Sequence, residues 1–444
     1  MKKKSIIIYI LMFTSLCILA SFFPIAGTDM TWSLKGIASL REIISIRDTG
    51  LITSALTTLF IKYKLLRILS IGIIGTTLFA LMRNIIDRKN TTLIFIGFFL
   101  FFLLDRLTLA STLLSIHGFT SYLIGILCTL LFLRLYIKDT IQKMNYFILL
   151  ILGLLLSNLE PVFSFTIFLV TLIYIYRREE MDEYRSLSLL IGELIGLIYN
   201  VLRMKLTYTG FSANLLHNFI PTICGQNFII TLVFSTLVMI RAIKVFTDGK
   251  MRGATLAIFG MSTFLFSSLL STNDYLNYVT YIIYNASCLY ILMNMTNSRQ
   301  LKNKLSAYYL FKIIYIIVLS CLGLIDAGST LFIFIIDILI ILELYNHILP
   351  TDFLAIPWFI VFIAFSCVNI YIYRDVSIKY RDMNFYIKNK LECTNEDIKL
   401  PSKFDIKYLE NYVPRCRNEI EEYIEYYDID IYDKDKTIKI EFKR

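Results

Sequence analysis

Of the chain's 444 residues, 57% are hydrophobic and 18% charged, and the mean hydropathy is +0.66. Soluble globular domains carry about 45–50% apolar and about 25% charged residues, so this composition excludes an ordinary water-soluble globule. The net charge of +10 does not indicate a nucleic-acid binder, because most Lys and Arg before residue 374 sit in short clusters between apolar blocks. Such clusters set membrane topology, and no basic stripe interleaved with aromatics accompanies them.

In chain order, Met1-Lys2-Lys3-Lys4 followed by Ser5 to Phe23 has the layout of a signal peptide. No small-x-small cleavage site closes it before Pro24, so it is read as a retained first helix. Further apolar blocks fall at 65–83, 92–105, 119–136, 145–157, 162–176, 186–202, 227–242, 254–270, 277–295, 306–325, 329–345 and 353–373. About 20 apolar residues in a helix cross a hydrocarbon core of about 30 Å. The pattern therefore predicts an all-α polytopic membrane protein with about 13 transmembrane helices. The segment 51–62 is too short to cross and is placed at the interface, and Ser157 to Pro161 joins two short blocks as a tight hairpin.

Loops on the side of Lys2 to Lys4 are the richer in cations, holding among others Arg83, Arg88, Lys89, Arg134, Lys138, Arg177 and Arg178. The basic excess places the N-terminus inside, and an odd number of spans then places the C-terminus outside. After Tyr373 the composition turns charged and tyrosine-rich. This change divides a multi-span domain, 1–373, from a small soluble α+β C-terminal tail, 374–444, expected to be extracytoplasmic. Within the tail a helix is predicted over 419–427. Two short strands, 429–432 and 437–440, are predicted around an Asp433–Lys436 turn.

Glu193, Lys312, Asp337 and Glu343 fall inside apolar blocks. An ionised group at mid-bilayer costs about 2.5–3.5 kcal/mol or more, so each needs a partner or a function. A hairpin folded symmetrically at Ala327–Gly328 sets Lys312 level with Glu343 and predicts that ion pair. Glu193 and Asp337 have no partner legible in the sequence and keep a transporter reading open.

No phosphate-cradling glycine loop, His-Glu-x-x-His, Cys-x-x-Cys or Gly-x-Ser-x-Gly occurs, and three histidines are too few for a histidine-built metal centre. The remaining polar groups gather at the outer ends of the predicted spans. Asp29 follows the first span within about a turn, Asp105-Arg106 ends the third, and His117 precedes the fourth. Asn158 and Glu160 join the fifth to the sixth, and Lys35 and Arg41 lie in the first outer loop. The plain alternative is that these are solvated loop residues, or that Asp29 tethers its loop or caps a helix.

The stretches Gly27-Thr28-Asp29-Met30-Thr31-Trp32, Ser115 to Leu123, Asn158-Leu159-Glu160-Pro161 and the tail from Asn418 to Asp430 carry a resemblance. With many spans and a soluble C-terminal tail, the chain resembles the GT-C superfamily of membrane glycosyltransferases. More narrowly, it looks like an uncharacterised bacterial family of polytopic, glucosyltransferase-like proteins. It departs from the two adjacent acids of many relatives, since Met30 follows Asp29.

The resemblance implies a multi-pass protein of the bacterial cell membrane. It would move a sugar from a polyprenyl-phosphate donor to a cell-envelope glycan acceptor on the outer face. Asp29 is then the catalytic base and Glu160 a second acid or acceptor-side group. Arg106, His117, Lys35 and Arg41 serve the phosphate, with Asp105 and Asn158 as further substrate-binding residues. No cofactor is identified and no metal ligand is assigned, although a divalent cation is compatible with this chemistry. Two other functions stay open, a transporter or flippase of lipid-linked saccharides and a polysaccharide polymerase or ligase.

Overall fold

A computed structural model describes residues 2–26, 29–30, 33, 50–87, 89–138, 140–176, 183–204, 228–247, 251–270, 274–294, 298–322, 328–348, 354–393, 397–404, 406, 413, 417–427, 429 and 440–442. These are nearly all helical, with little strand. The first half of the chain contributes α1 (Lys2–Ser21), α2 (Leu51–Lys62), α3 (Lys64–Ile86), α4 (Thr92–Phe102), α5 (Ile116–Lys138), α6 (Tyr146–Leu156) and α7 (Pro161–Tyr176). The second half contributes α8 (Glu183–Met204), α9 (Phe228–Thr247), α10 (Met251–Leu270), α11 (Asp274–Asn294), α12 (Arg299–Leu322), α13 (Leu331–Ile348), α14 (Ala355–Cys393) and α15 (Arg417–Tyr427). A helix thus lies at each predicted apolar block.

Among the described residues, five helical stretches are long and apolar enough to cross a membrane: α3, α5, Tyr184–Leu202 of α8, α12 and α14. Large apolar side chains such as Phe147, Leu256, Phe259, Ile356 and Ile360 are exposed on their helices, as suits a surface facing lipid. By contrast α4 has 11 residues, a length of about 17 Å at about 1.5 Å per residue, roughly half a hydrocarbon core. The chain beyond it runs through the short helix Arg106–Leu109 and a π-helical turn, Ala110–Leu114, before α5 begins.

α13 is the centre of the bundle: every residue from Gly328 to Leu344 is buried. It carries two acids, and α12 supplies a lysine to each. Lys312 Nζ stands 2.7 Å from Asp337 Oδ1, and Lys304 Nζ stands 3.1 Å from Glu343 Oε1. Tyr308 also donates to Glu343 at 3.1 Å.

The predicted Lys312–Glu343 pair is therefore replaced by two pairs, and Asp337 has its partner after all. The symmetric hairpin fails because Tyr315 of α12 donates to Ser329 O at 2.6 Å, at the very start of α13. α12 continues beyond that level, so the helices are offset and Lys312 meets the acid nearer the turn. Glu193, in α8, accepts from Thr171 Oγ1 of α7 at 2.9 Å. Its other oxygen has no partner among the described residues.

α14 runs unbroken for 39 residues, through the point after Tyr373 where composition changes. Its C-terminal third leaves the apolar bundle and carries the tail. The predicted tail helix is present as α15. The strand near the C-terminus, Ile440–Phe442, pairs in parallel with Ile398–Leu400 in the register Ile398↔Ile440 and Leu400↔Phe442. Only Ile440 belongs to the predicted strand 437–440, and its partner is a segment for which no strand was predicted. Most of the predicted hairpin, 430–439, lies outside the described residues.

Breaking a buried ion pair by removing one partner strands a charge and costs about 3–5 kcal/mol, whereas replacing both with apolar groups is far milder. Lys312→Met should therefore lower thermal stability sharply, and adding Asp337→Leu should restore most of the loss. Lys312→Met combined with Glu343→Leu should instead show no such recovery. A double-mutant cycle read by the unfolding midpoint in detergent checks both combinations.

Candidate functional site

The first four N–H groups of a helix have no partner inside it and must be satisfied from outside. At the start of α5 this is done by two residues. Ser115, the N-cap, accepts from Gly118 N at 3.2 Å. Asp29, from the loop after α1, accepts from Ile116 N at 2.8 Å through Oδ2 and from His117 N at 3.0 Å through Oδ1. The Ser115 hydroxyl donates to the same Oδ1 at 3.2 Å. The positive end of the helix dipole reinforces these bonds. Asp29 is thus a cap, but of a helix far along the chain rather than of its own loop. A carboxylate offers about four lone-pair sites, so one on Oδ2 remains after these three bonds.

The helix start is itself pressed onto the preceding π-helical turn. A Cβ at Gly118 would fall on the Ser111 carbonyl oxygen, so glycine is required there. α2 packs across the same region: Thr57 Oγ1 and Thr120 Oγ1 are 2.5 Å apart, and the Phe60 and Phe119 rings meet at 6.0 Å. The other end of α2 reaches the hairpin between α6 and α7, where Ile52 N donates to Asn158 O at 3.3 Å. Asn200 of α8 holds that hairpin through Ser157 O at 2.8 Å and Leu159 O at 3.2 Å.

Asp29 is 1% exposed, and burial pushes its carboxyl up to about 6. The bonds from His117, Ile116 and Ser115 pull in the opposite direction, as does the positive charge of Arg67. Arg67, in the first turn of α3, is 3% exposed. It donates to Phe23 O at 3.3 Å, just beyond the C-terminus of α1, while its Nε has no partner among the described residues.

Arg67 also lines a cavity of about 510 Å³ walled by the end of α1 (Ser21 to Ile25), the start of α3 (Lys64, Arg67), α14 (Ser377, Tyr380, Arg381, Asn384, Phe385, Lys388) and α15 (Tyr426, Tyr427). The tail is fastened there by Tyr380, whose hydroxyl donates to Ile25 O at 3.0 Å. Asn384 bridges Tyr427 at 2.6 Å and Tyr423 at 3.0 Å. Tyr426 stands within the electrostatic reach of both Arg67 and Asp29. Burial raises its phenol, Arg67 lowers it and Asp29 raises it.

Of the residues singled out in the sequence, the structure brings Asp29 and the backbone of His117 into contact. The His117 ring, half-buried, lies 3.5 Å from Ser121 Oγ. Glu160 is buried directly before α7, and its carbonyl accepts from Phe163 N at 3.0 Å and Ser164 N at 3.1 Å. Asn158 donates to Leu154 O at 2.8 Å, so its amide serves the hairpin. Asp105 and Arg106 open the short helix before the π-helical turn, with Arg106 exposed. Lys35 and Arg41 lie outside the described residues. Among those described, Arg67 rather than Arg106 supplies the positive charge felt by Asp29.

Sequence reasoning missed Arg67 and the cavity-lining tyrosines, and it named Ser115 without its capping role. Two signals were available: the i, i+3 pair Lys64 and Arg67 opening an apolar helix, and the helical polar stripe Ser377, Arg381, Asn384 and Lys388. No group of three or more His, Cys, Asp or Glu side chains able to hold a metal occurs among the described residues. No family model, curated protein or solved structure matches the chain.

A carboxyl whose folded value is raised adds stability that is complete below its unfolded value and is lost as pH rises through the folded one. For Asp29 that window runs from about 3.8 to about 6. Relative to Asp29→Asn, the parent should lose on the order of 3 kcal/mol across this window and change little above it. Parallel thermal melts of the two proteins between pH 4 and pH 7.5 check the slope.

Proposed function

We propose that this chain is a bacterial cell-membrane glycosyltransferase with about 13 spans, transferring a sugar from a polyprenyl-phosphate donor to a cell-envelope acceptor on the outer face. The observation that carries this reading is the placement of Asp29. Its carboxyl is buried at the end of α1, tuned to about 6, with one lone pair left and Arg67 beside it. A base of that strength accepts a proton efficiently near neutral pH. Asp29 Oδ2 takes the proton of the acceptor hydroxyl as its oxygen attacks the anomeric carbon. The carbon–oxygen bond to the lipid phosphate breaks, and the departing phosphate keeps the electron pair, stabilised by nearby cations. The likeness of the Asp29, Ser115–Leu123 and Asn158–Pro161 segments to GT-C enzymes supports the same assignment. Glu160 serves on the acceptor side.

The basic-residue asymmetry supports an outer location for the Asp29 end of the bundle and for the tail. A second reading, a flippase of lipid-linked saccharides, is favoured by Glu193, a buried acid inside α8 whose one polar partner among the described residues is a threonine.

With labelled polyprenyl-phosphate sugar, membranes containing the parent should transfer, at a rate that climbs as pH rises through about 6. Asp29→Asn at matched protein levels should reduce transfer by about 10²–10⁴ and remove that limb of the profile. A merely structural cap would leave the profile in place. Transfer absent from the parent with every such donor would favour the flippase. Separately, a reporter active only in the cytoplasm, fused after Arg444, should stay silent; strong activity would take one span from the topology.

A further inference from the structure

The cavity between the membrane helices and the tail is lined by Lys64, Arg67, Arg381 and Lys388, and no acid lines it among the described residues. Two of these cations have carboxylate neighbours on their own helix. Arg381 Nε is 3.7 Å from Asp382, and Lys388 Nζ is 3.8 Å from Glu392. Both of those pairs are solvent-exposed and weak by their length and setting. Arg67 differs: it is almost wholly buried, its charge reaches Asp29 outside the cavity lining, and it lines the cavity with an Nε that has no partner among the described residues. A buried guanidinium with an unused donor is an expensive arrangement unless a further acceptor completes it, and an anion suits a guanidinium best.

The cavity's depth identifies where that anion comes from. It opens at the C-terminal end of α1 and the N-terminal end of α3, both apolar helices. It also lies along α14 from Ser377 onward, after α14 has run about 33 Å from Ala355 at about 1.5 Å per residue, close to one hydrocarbon thickness. Phe22, Phe23 and Phe385 supply apolar wall beside the cations. A free inorganic anion needs no such wall, whereas a phosphate on a long apolar chain needs both surfaces at the bilayer edge.

We infer that this cavity binds the terminal phosphate of a membrane-anchored phosphomonoester, held between Arg67 and Lys64 of α3 and Arg381 and Lys388 of α14, and closed by Tyr426 and Tyr427 of the tail. This rests on and deepens the transferase reading by giving the leaving phosphate a place beside Arg67, whose charge reaches Asp29, and it makes the tail part of the site. It is tested by binding and not by transfer, so a protein that binds but does not transfer retains the site and loses the transferase reading.

The full chain in phosphatidylcholine nanodiscs is titrated with polyprenyl phosphate, the corresponding polyprenol, phosphatidylglycerol and inorganic phosphate. Polyprenyl phosphate should bind about 100-fold or more tightly than polyprenol, with phosphatidylglycerol and inorganic phosphate competing only weakly. Lys64→Gln with Lys388→Gln, both on accessible positions, should weaken it about tenfold or more and leave polyprenol binding unchanged. Arg67→Lys, which retains the buried charge, should weaken it also. Equal binding of polyprenol and its phosphate, or affinity unchanged in the Lys64/Lys388 variant, overturns the site. Phosphatidylglycerol competing equally reduces the cavity to adsorption of bulk anionic lipid. Inorganic phosphate competing equally assigns it to a free anion, and either result overturns the inference.

Discussion

A helix buried on every side has no lipid or water to receive its polar groups, and α13 carries two acids in that position. The whole bundle is arranged around their neutralisation. Lys312 and Lys304 come from one neighbour, α12, so that α12 and α13 are locked in rotation and in height. Tyr315 fixes the same offset from the turn side through Ser329 O. α5, α7 and α9 can then pack as apolar surfaces against a pair whose register is set by charge. Aromatic contacts such as Phe163 with Tyr315 at 5.3 Å and Phe132 with Phe311 at 6.1 Å fill the seams. Without the ion pairs, apolar packing alone would tolerate several sliding positions, because helix surfaces of Leu, Ile and Phe are nearly interchangeable.

The same rule governs Asp29. A buried carboxylate must be matched by donors, and the start of α5 needs acceptors. Each deficit meets the other across the gap between the first loop and the fourth predicted span. This accounts for a single acid just past α1 being buried beside Met30. It also sets a constraint on chemistry. A residue that caps a helix cannot swing, so any reaction at Asp29 must bring the substrate to a fixed oxygen. Fixed geometry is what general-base catalysis requires, and capping and catalysis are here compatible uses of one carboxylate.

The helical architecture was legible because apolar blocks of bilayer length leave little alternative to helices. What was not legible were contacts that depend on offsets of a few residues between helices. Lys312 was assigned to Glu343 by assuming a symmetric hairpin, and an overhang of α12 sends it to Asp337. Asp29 and the Ser115–His117 segment were each recognisable, but nothing local linked them, since the bond that joins them crosses the chain. Arg67 was not singled out, because it falls inside the apolar block 65–83. Its burial against Phe23 O follows from the angle between α1 and α3, which no periodicity encodes. The strand Ile398–Leu400 was invisible because three residues with a parallel partner some forty positions away give no alternation to detect.

The composition change after Tyr373 marks where one continuous helix leaves the apolar bundle, and that has a consequence for the tail. α14 is rigid across the change, so the polar stripe on its outer third is held at a fixed distance from the ends of α1 and α3. The tail then folds back onto that stripe through Asn384, Tyr423 and Tyr427, and places Tyr426 between the helix ends and solvent. A flexible linker at this point would have allowed the tail to stand clear of the membrane surface. A rigid helix instead commits it to one face, the face that carries Asp29. Because the residues just after α1 contribute the backbone that Tyr380 and Arg67 both grip, through Ile25 O and Phe23 O, α14 and α3 share a single anchor. Displacing either helix would shift the cavity and with it Arg67, whose charge reaches the Asp29 carboxylate, which links the C-terminal segment to that acid without a direct hydrogen bond between them among the described residues.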